Sequence, residues 1–141
     1  MPEKLPQAVK ELLEKPFLAH LATVMRDGSP QVTPLWVDTD GEYVYVNTAE
    51  GRVKARNLRR DARVALSVVD PQSPNRGAVQ IRGRVVEITH EGANDHINKL
   101  AKKYTGKEYG FRDPTEVRLK IKILPEHLMG GVLPPPPATN R

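Results

Sequence analysis

Two Asp-Gly pairs, at positions 27–28 and 40–41, separate stretches rich in apolar and β-branched residues. An Asp-Gly pair between such stretches is typical of a tight hairpin turn, because glycine readily adopts the positive φ that the turn needs. The sequence therefore predicts three consecutive antiparallel strands, at residues 17–25, 30–38 and 42–48.

The rest of the chain adds three more strands and three short helices. The further strands are predicted at residues 63–70, 78–89 and 117–124, the last of which, "VRLKIKIL", alternates strictly. The helices are predicted at residues 6–15, 51–60 and 91–104. Gly83 lies inside the long strand and predicts a bend or bulge there. Six strands with three short helices predict a mainly β (α+β) fold, either an antiparallel barrel or another α+β arrangement.

The 141 residues fit one domain, which we assign to residues 1–125, followed by an extended Pro-rich tail at 126–141. Lys and Arg number 22 against 17 Asp and Glu, and this net charge of +5 favours anionic partners. The chain has no cysteine, which excludes disulfides and thiol chemistry. It also has no apolar run long enough for a membrane span, so we expect a cytoplasmic protein.

The segment "EGRVKARNLRRDARV", residues 50–64, contains five arginines and one lysine. It follows a strand that ends in Asn47, Thr48 and Ala49, and it begins a predicted helix. Free backbone N–H groups at a helix start, together with nearby cations, favour a bound phosphate. The alternative is a solvated charged face, but Lys54, one turn into the helix, is better explained by an anion than by packing.

Other site chemistries find little support in the sequence. The four histidines have neither HExxH spacing nor cysteine companions, so no metal ligand is predicted. A G-x-S-x-G nucleophile elbow and a phosphate-binding P-loop are both missing from the sequence. No side chain is therefore predicted to be catalytic.

A family resemblance covers residues 6–125. The segment "NTAEGRVKARNLRRDARVALSV", with "GSPQVTPLWVDTDGEYVYV" before it and "VQIRGRVVEI" after it, resembles the split-barrel flavin-binding superfamily of pyridoxamine 5′-phosphate oxidase. Within it, the chain is most similar to the small oxidoreductases that use the deazaflavin coenzyme F420. The resemblance implies a six-stranded antiparallel split β-barrel that forms a homodimer, with the cofactor at the subunit interface.

The resemblance also implies which residues bind the cofactor. The ring would lie along the second strand, against Thr33, Pro34, Leu35 and Trp36. The phosphate would lie at the end of the third strand and the start of the next helix, against Thr48, Ala49, Arg52 and Lys54. Gln80 would come from the other subunit. Without the resemblance, Trp36 would be read as core or dimer packing, and Thr48 and Gln80 as ordinary strand residues.

The expected function is hydride transfer between reduced F420 and a small organic acceptor. The oligoglutamate tail of F420 would suit the arginines at 52, 56, 59, 60 and 63. Vitamin B6 oxidation is not expected, because Val32 stands where the oxidase carries an arginine for FMN. The alternatives are an FMN-binding oxidoreductase or flavin carrier and, more distantly, a small basic nucleic-acid-binding barrel. Aromatic residues make up only 5% of the chain, which argues against nucleic acid as a partner.

Overall fold

The structure, a computed structural model, describes residues 3–134. Within that range three helices accompany one sheet of seven antiparallel strands. In chain order the elements are α1 (Gln7–Glu14), β1 (Ala19–Val24), β2 (Pro30–Leu35), β3 (Val37–Thr39), β4 (Val44–Ala49), α2 (Val53–Arg60), β5 (Arg63–Val69), β6 (Ala78–Thr89), α3 (Ala93–Thr105) and β7 (Arg118–Met129). The predicted mainly β antiparallel fold with three helices is confirmed.

The two edges of the sheet are adjacent in the chain. The strand order is β2-β1-β5-β6-β7-β4-β3, and only Trp36 separates β2 from β3. A single residue can join opposite edges only if the sheet curls until those edges meet. The expected count of six strands was wrong by one, because the strand predicted at 30–38 turns a corner at Trp36: β2 pairs with β1, while β3 pairs with β4.

Glycine and proline positions explain much of this geometry. Gly28 and Gly41 have φ of 88° and 99°, as the two predicted hairpin turns require. Pro30 and Pro34 both lie on β2, an edge strand, where a missing backbone N–H can face away from the sheet. These residues therefore suit the outermost strand of the curled sheet.

Gly83 allows β6 and β7 to approach closely. The register between these strands shifts at Arg82/Gly83, so the predicted irregularity is confirmed. A Cβ atom at Gly83 would lie 2.1 Å from the Leu124 carbonyl oxygen, which no side chain can tolerate. Pro125, the partner of Gly83, lies within β7, which continues to Met129 instead of ending at residue 124.

The first part of the predicted tail at 126–141 thus belongs to the sheet. Val132 and Leu133 pack against the core beyond the end of β7. The proline run of that tail falls mostly at residues 135–141, outside the described residues.

The hydrophobic core lies inside the curled sheet and under α1. Alternate residues of the strands fill it, among them Leu21, Leu66, Ile81, Ile121 and Ile123, each nearly inaccessible to solvent. From α1, the apolar face of Val9, Leu12 and Leu13 is buried, as the amphipathic pattern predicted. Each such side chain stabilises the fold by about 1.5 to 3 kcal/mol. None of the helices in residues 3–134 is long and apolar enough to cross a membrane.

Candidate functional site

The junction between β4 and α2 leaves a buried hydroxyl without a partner. Strand β4 ends at Ala49, Gly51 follows with a φ of 82°, and α2 begins at Val53. Only 3% of Thr48 is exposed, and its Oγ1 forms no hydrogen bond to any described residue. An unpaired buried hydroxyl is unfavourable unless a ligand or water satisfies it, so this atom marks the junction as a candidate binding site.

Lys54 lies in the first turn of α2 and is half-buried. No hydrogen bond or ion pair within residues 3–134 involves its ammonium group. Burial lowers the pKa of Lys54, and the positive charges of Arg52 and Arg118 lower it further. A half-buried cation among like charges creates a local field that favours an incoming anion.

All five arginines in the basic segment have a partner within the chain, and four of them have one at 3.0 Å or less. Their partners are the Gly51 carbonyl for Arg56 at 2.8 Å, Glu50 for Arg59 at 3.0 Å, the Val24 carbonyl for Arg60 at 2.7 Å and Asp61 for Arg63 at 2.7 Å. Arg52 lies 3.5 Å from Glu116 and is more than half exposed. The expected arginine cluster for a polycarboxylate tail thus reduces to Arg52 beside Lys54.

A buried polar network adjoins the junction from β7, where Arg118 pairs with Ala49. Arg118 Nε donates to Asn47 Oδ1 at 2.8 Å, and Arg118 also donates to Glu116 at 2.7 Å. Since arginine can only donate, the Asn47 oxygen must face it and the Asn47 amide NH₂ must face His96 Nδ1, at 3.1 Å.

The same hydrogen bonds show which ring nitrogen of His96, at the far end of this network, carries the proton. His96 Nδ1 accepts from Asn47, so its Nε2 carries the proton and donates to Asp38 at 2.9 Å. Sequence reasoning missed these residues because positions 38, 47, 96 and 118 share no local spacing. One feature of the sequence could have indicated the network: Asn47 and Arg118 are polar residues next to buried apolar positions of their strands.

A cavity of about 620 Å³ opens next to the junction. Ala49, Glu50 and Arg52 form one wall, and the loop from Tyr109 to Val117 forms the other. The cavity lining carries both charges: Arg52 and Arg112 supply cations, and Glu50, Asp113 and Glu116 supply carboxylates. The arrangement can accept a charged organic molecule beside an anion held at the junction.

The residues expected to line the ring lie on β2 and at its end. Thr33 and Leu35 are on the half-buried face of β2, whereas Pro34 is on the exposed face. Trp36 lies at the corner and stacks on Tyr104 of α3, with ring centroids 5.4 Å apart and an interplanar angle of 16°.

Gln80 lies on the exposed face of β6. The pairing register aligns it across the sheet with Ser67, His20 and Pro34. Ala49 and Arg52 line the cavity at the junction, and Arg52 is close enough to Lys54 to lower its pKa, whereas the Thr48 hydroxyl is buried and does not line that cavity. Pro34 and Gln80 lie on the outer face of the sheet. Within one chain, no hydrogen bond between described residues joins Gln80 to the junction.

Comparisons with known proteins agree with this architecture. A family model described as pyridoxamine 5′-phosphate oxidase matches residues 5–127. A solved structure described as an F420 reductase is 34% identical, with a TM-score of 0.80 over 89% of this chain and 98% of that one. No curated protein matches the chain.

Two further solved structures share the fold at lower identity. A conserved hypothetical protein from Mycobacterium tuberculosis is 23% identical, with a TM-score of 0.69 over 96% of this chain and 93% of that one. HupZ from Group A Streptococcus is 22% identical, with a TM-score of 0.66 over 89% and 93%. The family match spans most of the chain and the curled antiparallel sheet agrees with it, so this chain belongs to the pyridoxamine 5′-phosphate oxidase family of flavin-binding split-barrel oxidoreductases.

Proposed function

We propose that this protein is an F420-dependent oxidoreductase that transfers a hydride between the reduced deazaflavin and a small organic acceptor. The observation that carries the proposal is the β4–α2 junction, where the Thr48 hydroxyl and the Lys54 ammonium both lack partners among the described residues. The choice of F420 is supported by the 34% identical F420 reductase, which matches over 98% of its own length.

The residues at the junction fit the acidic group of such a cofactor. Thr48 can donate its hydroxyl proton, and Lys54 and Arg52 supply cations next to the start of α2. Thr33, Pro34, Leu35 and Trp36 would line the ring, and Ala49 would contribute only its small size and backbone. When bound, the reduced deazaflavin supplies the hydride. The chain's own part is to hold the anion, orient the ring and admit the acceptor through the adjacent cavity.

The outer face of the sheet supports the proposed homodimer. Val32 and Met129 are 62% and 65% exposed, and Met129 pairs directly with Gln80 on β6. The same face carries Pro34 and Ala22, so it is poor in charge near β2. Pairing of two chains through this face would cover the exposed apolar side chains and bring Gln80 towards the partner's cofactor.

FMN is the alternative cofactor, because the same junction could hold its phosphate and the family name describes an oxidase of a phosphorylated vitamin. The close contacts that four arginines of the basic segment make within the chain weaken the electrostatic argument for the F420 tail. They also leave few free cations in that segment for a nucleic acid backbone.

Titration of the purified protein with F420, FMN and riboflavin, followed by fluorescence, tests the proposal. We expect F420 to bind most tightly and the protein to oxidise reduced F420 when an acceptor is supplied. An FMN dissociation constant tenfold below that of F420, a difference of about 1.4 kcal/mol, would overturn the deazaflavin assignment. Binding of none of the three would overturn the function altogether.

A further inference from the structure

The last turn of α3 holds the corner between β2 and β3. At this corner the Val37 N–H donates to the Tyr104 hydroxyl oxygen at 3.2 Å, and the Val37 carbonyl accepts from Lys103 Nζ at 2.5 Å. Two consecutive residues of one helix thus bond both backbone groups of the residue that follows Trp36.

Each of these two side chains also reaches a second element. The Tyr104 hydroxyl donates to the Phe17 carbonyl at 2.6 Å, just before β1. Burial raises the pKa of Tyr104, so its hydroxyl stays protonated and able to donate. Lys103 Nζ donates to the Leu13 carbonyl at 2.5 Å, in the last turn of α1. The corner is therefore tied to both ends of the α1–β1 connection.

Trp36 itself has no strand partner. The β1–β2 register ends at Leu35 and the β3–β4 register begins at Val37, so no ladder hydrogen bond fixes the residue between them. Stacking on Tyr104 covers one side of the indole, and the side chain as a whole remains half-buried. The orientation of the indole thus depends on Tyr104 and on the two backbone anchors at Val37.

We propose that Tyr104 and Lys103 are positioning residues that set the orientation of Trp36 as the surface against which the cofactor ring lies. This inference rests on the proposed function. Tyr104 would act on the ring part of the affinity, whereas Lys54 would act on the phosphate part. The two contributions can be separated, because riboflavin and FMN differ only in the phosphate.

The experiment uses the single tryptophan of the chain, so intrinsic fluorescence reports Trp36 alone. Riboflavin and FMN are titrated into the full-length parent and into Tyr104→Leu, Tyr104→Phe, Lys103→Met and Lys54→Ala. We expect Tyr104→Leu to weaken both flavins by the same factor, about two- to tenfold, the range for loss of one aromatic pair. The anisotropy of the Trp36 emission should fall in the unliganded variant, because the indole gains freedom.

The ratio of FMN affinity to riboflavin affinity measures the contribution of the phosphate. This ratio should be the same in Tyr104→Leu as in the parent, and it should be smaller in Lys54→Ala. Tyr43→Leu is the matched control: Tyr43 is half-buried too, but its ring lies against Lys122, away from the corner. Tyr104→Phe and Lys103→Met keep the stacked ring and remove one anchor each, so they give the answer even if Tyr104→Leu does not fold.

The outcomes separate the two proposals. If the parent binds flavins and Tyr104→Leu binds both as tightly with unchanged anisotropy, the positioning role is wrong and the proposed function stands. The same holds if Tyr104→Phe and Lys103→Met leave the anisotropy and both affinities at the parent values. If the parent binds F420 but neither flavin, F420 is titrated instead: an F420 affinity and an anisotropy that Tyr104→Leu leaves unchanged overturn the positioning role alone. If the parent binds none of F420, FMN and riboflavin, both proposals fall.

Discussion

Replacing Lys54 with alanine tests the candidate anion site most directly. The ammonium is half-buried and has no partner within residues 3–134, and its pKa is lowered by burial and by Arg52 and Arg118. Removing it therefore breaks no internal ion pair and relieves repulsion between like charges. We expect the unliganded Lys54→Ala protein to melt within a few degrees of the parent, or slightly above it.

The effect on ligand affinity should be large by comparison. A hydrogen bond to a charged group contributes about 1.5 to 3 kcal/mol. This range corresponds to a loss of about ten- to 150-fold in the affinity for F420 or FMN. Riboflavin, which lacks the phosphate, should bind the variant almost as well as it binds the parent. Fluorescence titration measures all three constants, and differential scanning calorimetry measures the melting temperature.

Two control variants remove the same charge elsewhere. Lys107 is exposed on the loop after α3, and Arg63 is held by Asp61 at 2.7 Å. Neither Lys107→Ala nor Arg63→Ala should change the ratio of FMN to riboflavin affinity. If Lys54→Ala binds F420 and FMN as tightly as the parent does, the junction holds no anion and the basic segment is a solvated face.

Three further predictions address the assembly and the fold. The protein should elute at about twice its 15.8 kDa mass, and Val32→Glu, which puts a charge on the outer face, should convert it to a monomer; a monomeric parent that binds cofactor would refute the shared site. Gly83→Ala should lower the melting temperature markedly, because its Cβ would lie 2.1 Å from a carbonyl oxygen; an unchanged melting curve would contradict the close approach. Burial lowers the pKa of Lys103 to about 8, so between about pH 8 and 10.5 the unfolded chain binds a proton that the folded chain does not. Stability, measured by urea unfolding, should therefore rise with pH across that window in the parent and rise less in Lys103→Met.

Local patterns predicted most of the elements. The Asp-Gly turns place the first strands, and strict alternation places β7, because side-chain period and turn chemistry depend on neighbouring residues alone. The junction was predicted for a similar reason: Thr48 and Lys54 are only six positions apart, across one turn.

Features that depend on distant pairing were not predicted. Nothing local at Trp36 shows that the strand changes partners there, since the corner exists only because β1 and β4 lie on opposite sides of it. The extension of β7 through Pro125 depends on Gly83, which is 42 positions away in the sequence. The network through Asn47 and His96 likewise requires α3 to pack on β4, which spacing cannot indicate.

The position of β7 in the sheet has a consequence for how the chain folds. Strand β7 follows the other six strands in the chain and lies between β6 and β4, so the β3–β4 hairpin joins the rest of the sheet only when β7 is available. Until then, β4 and β6 each present an open edge that can pair with another nascent chain. Such late, long-range closure is slow, and it leaves the growing chain prone to aggregation until β7 has left the ribosome. We therefore expect the growing chain to depend on chaperones more than is usual for a protein of this size.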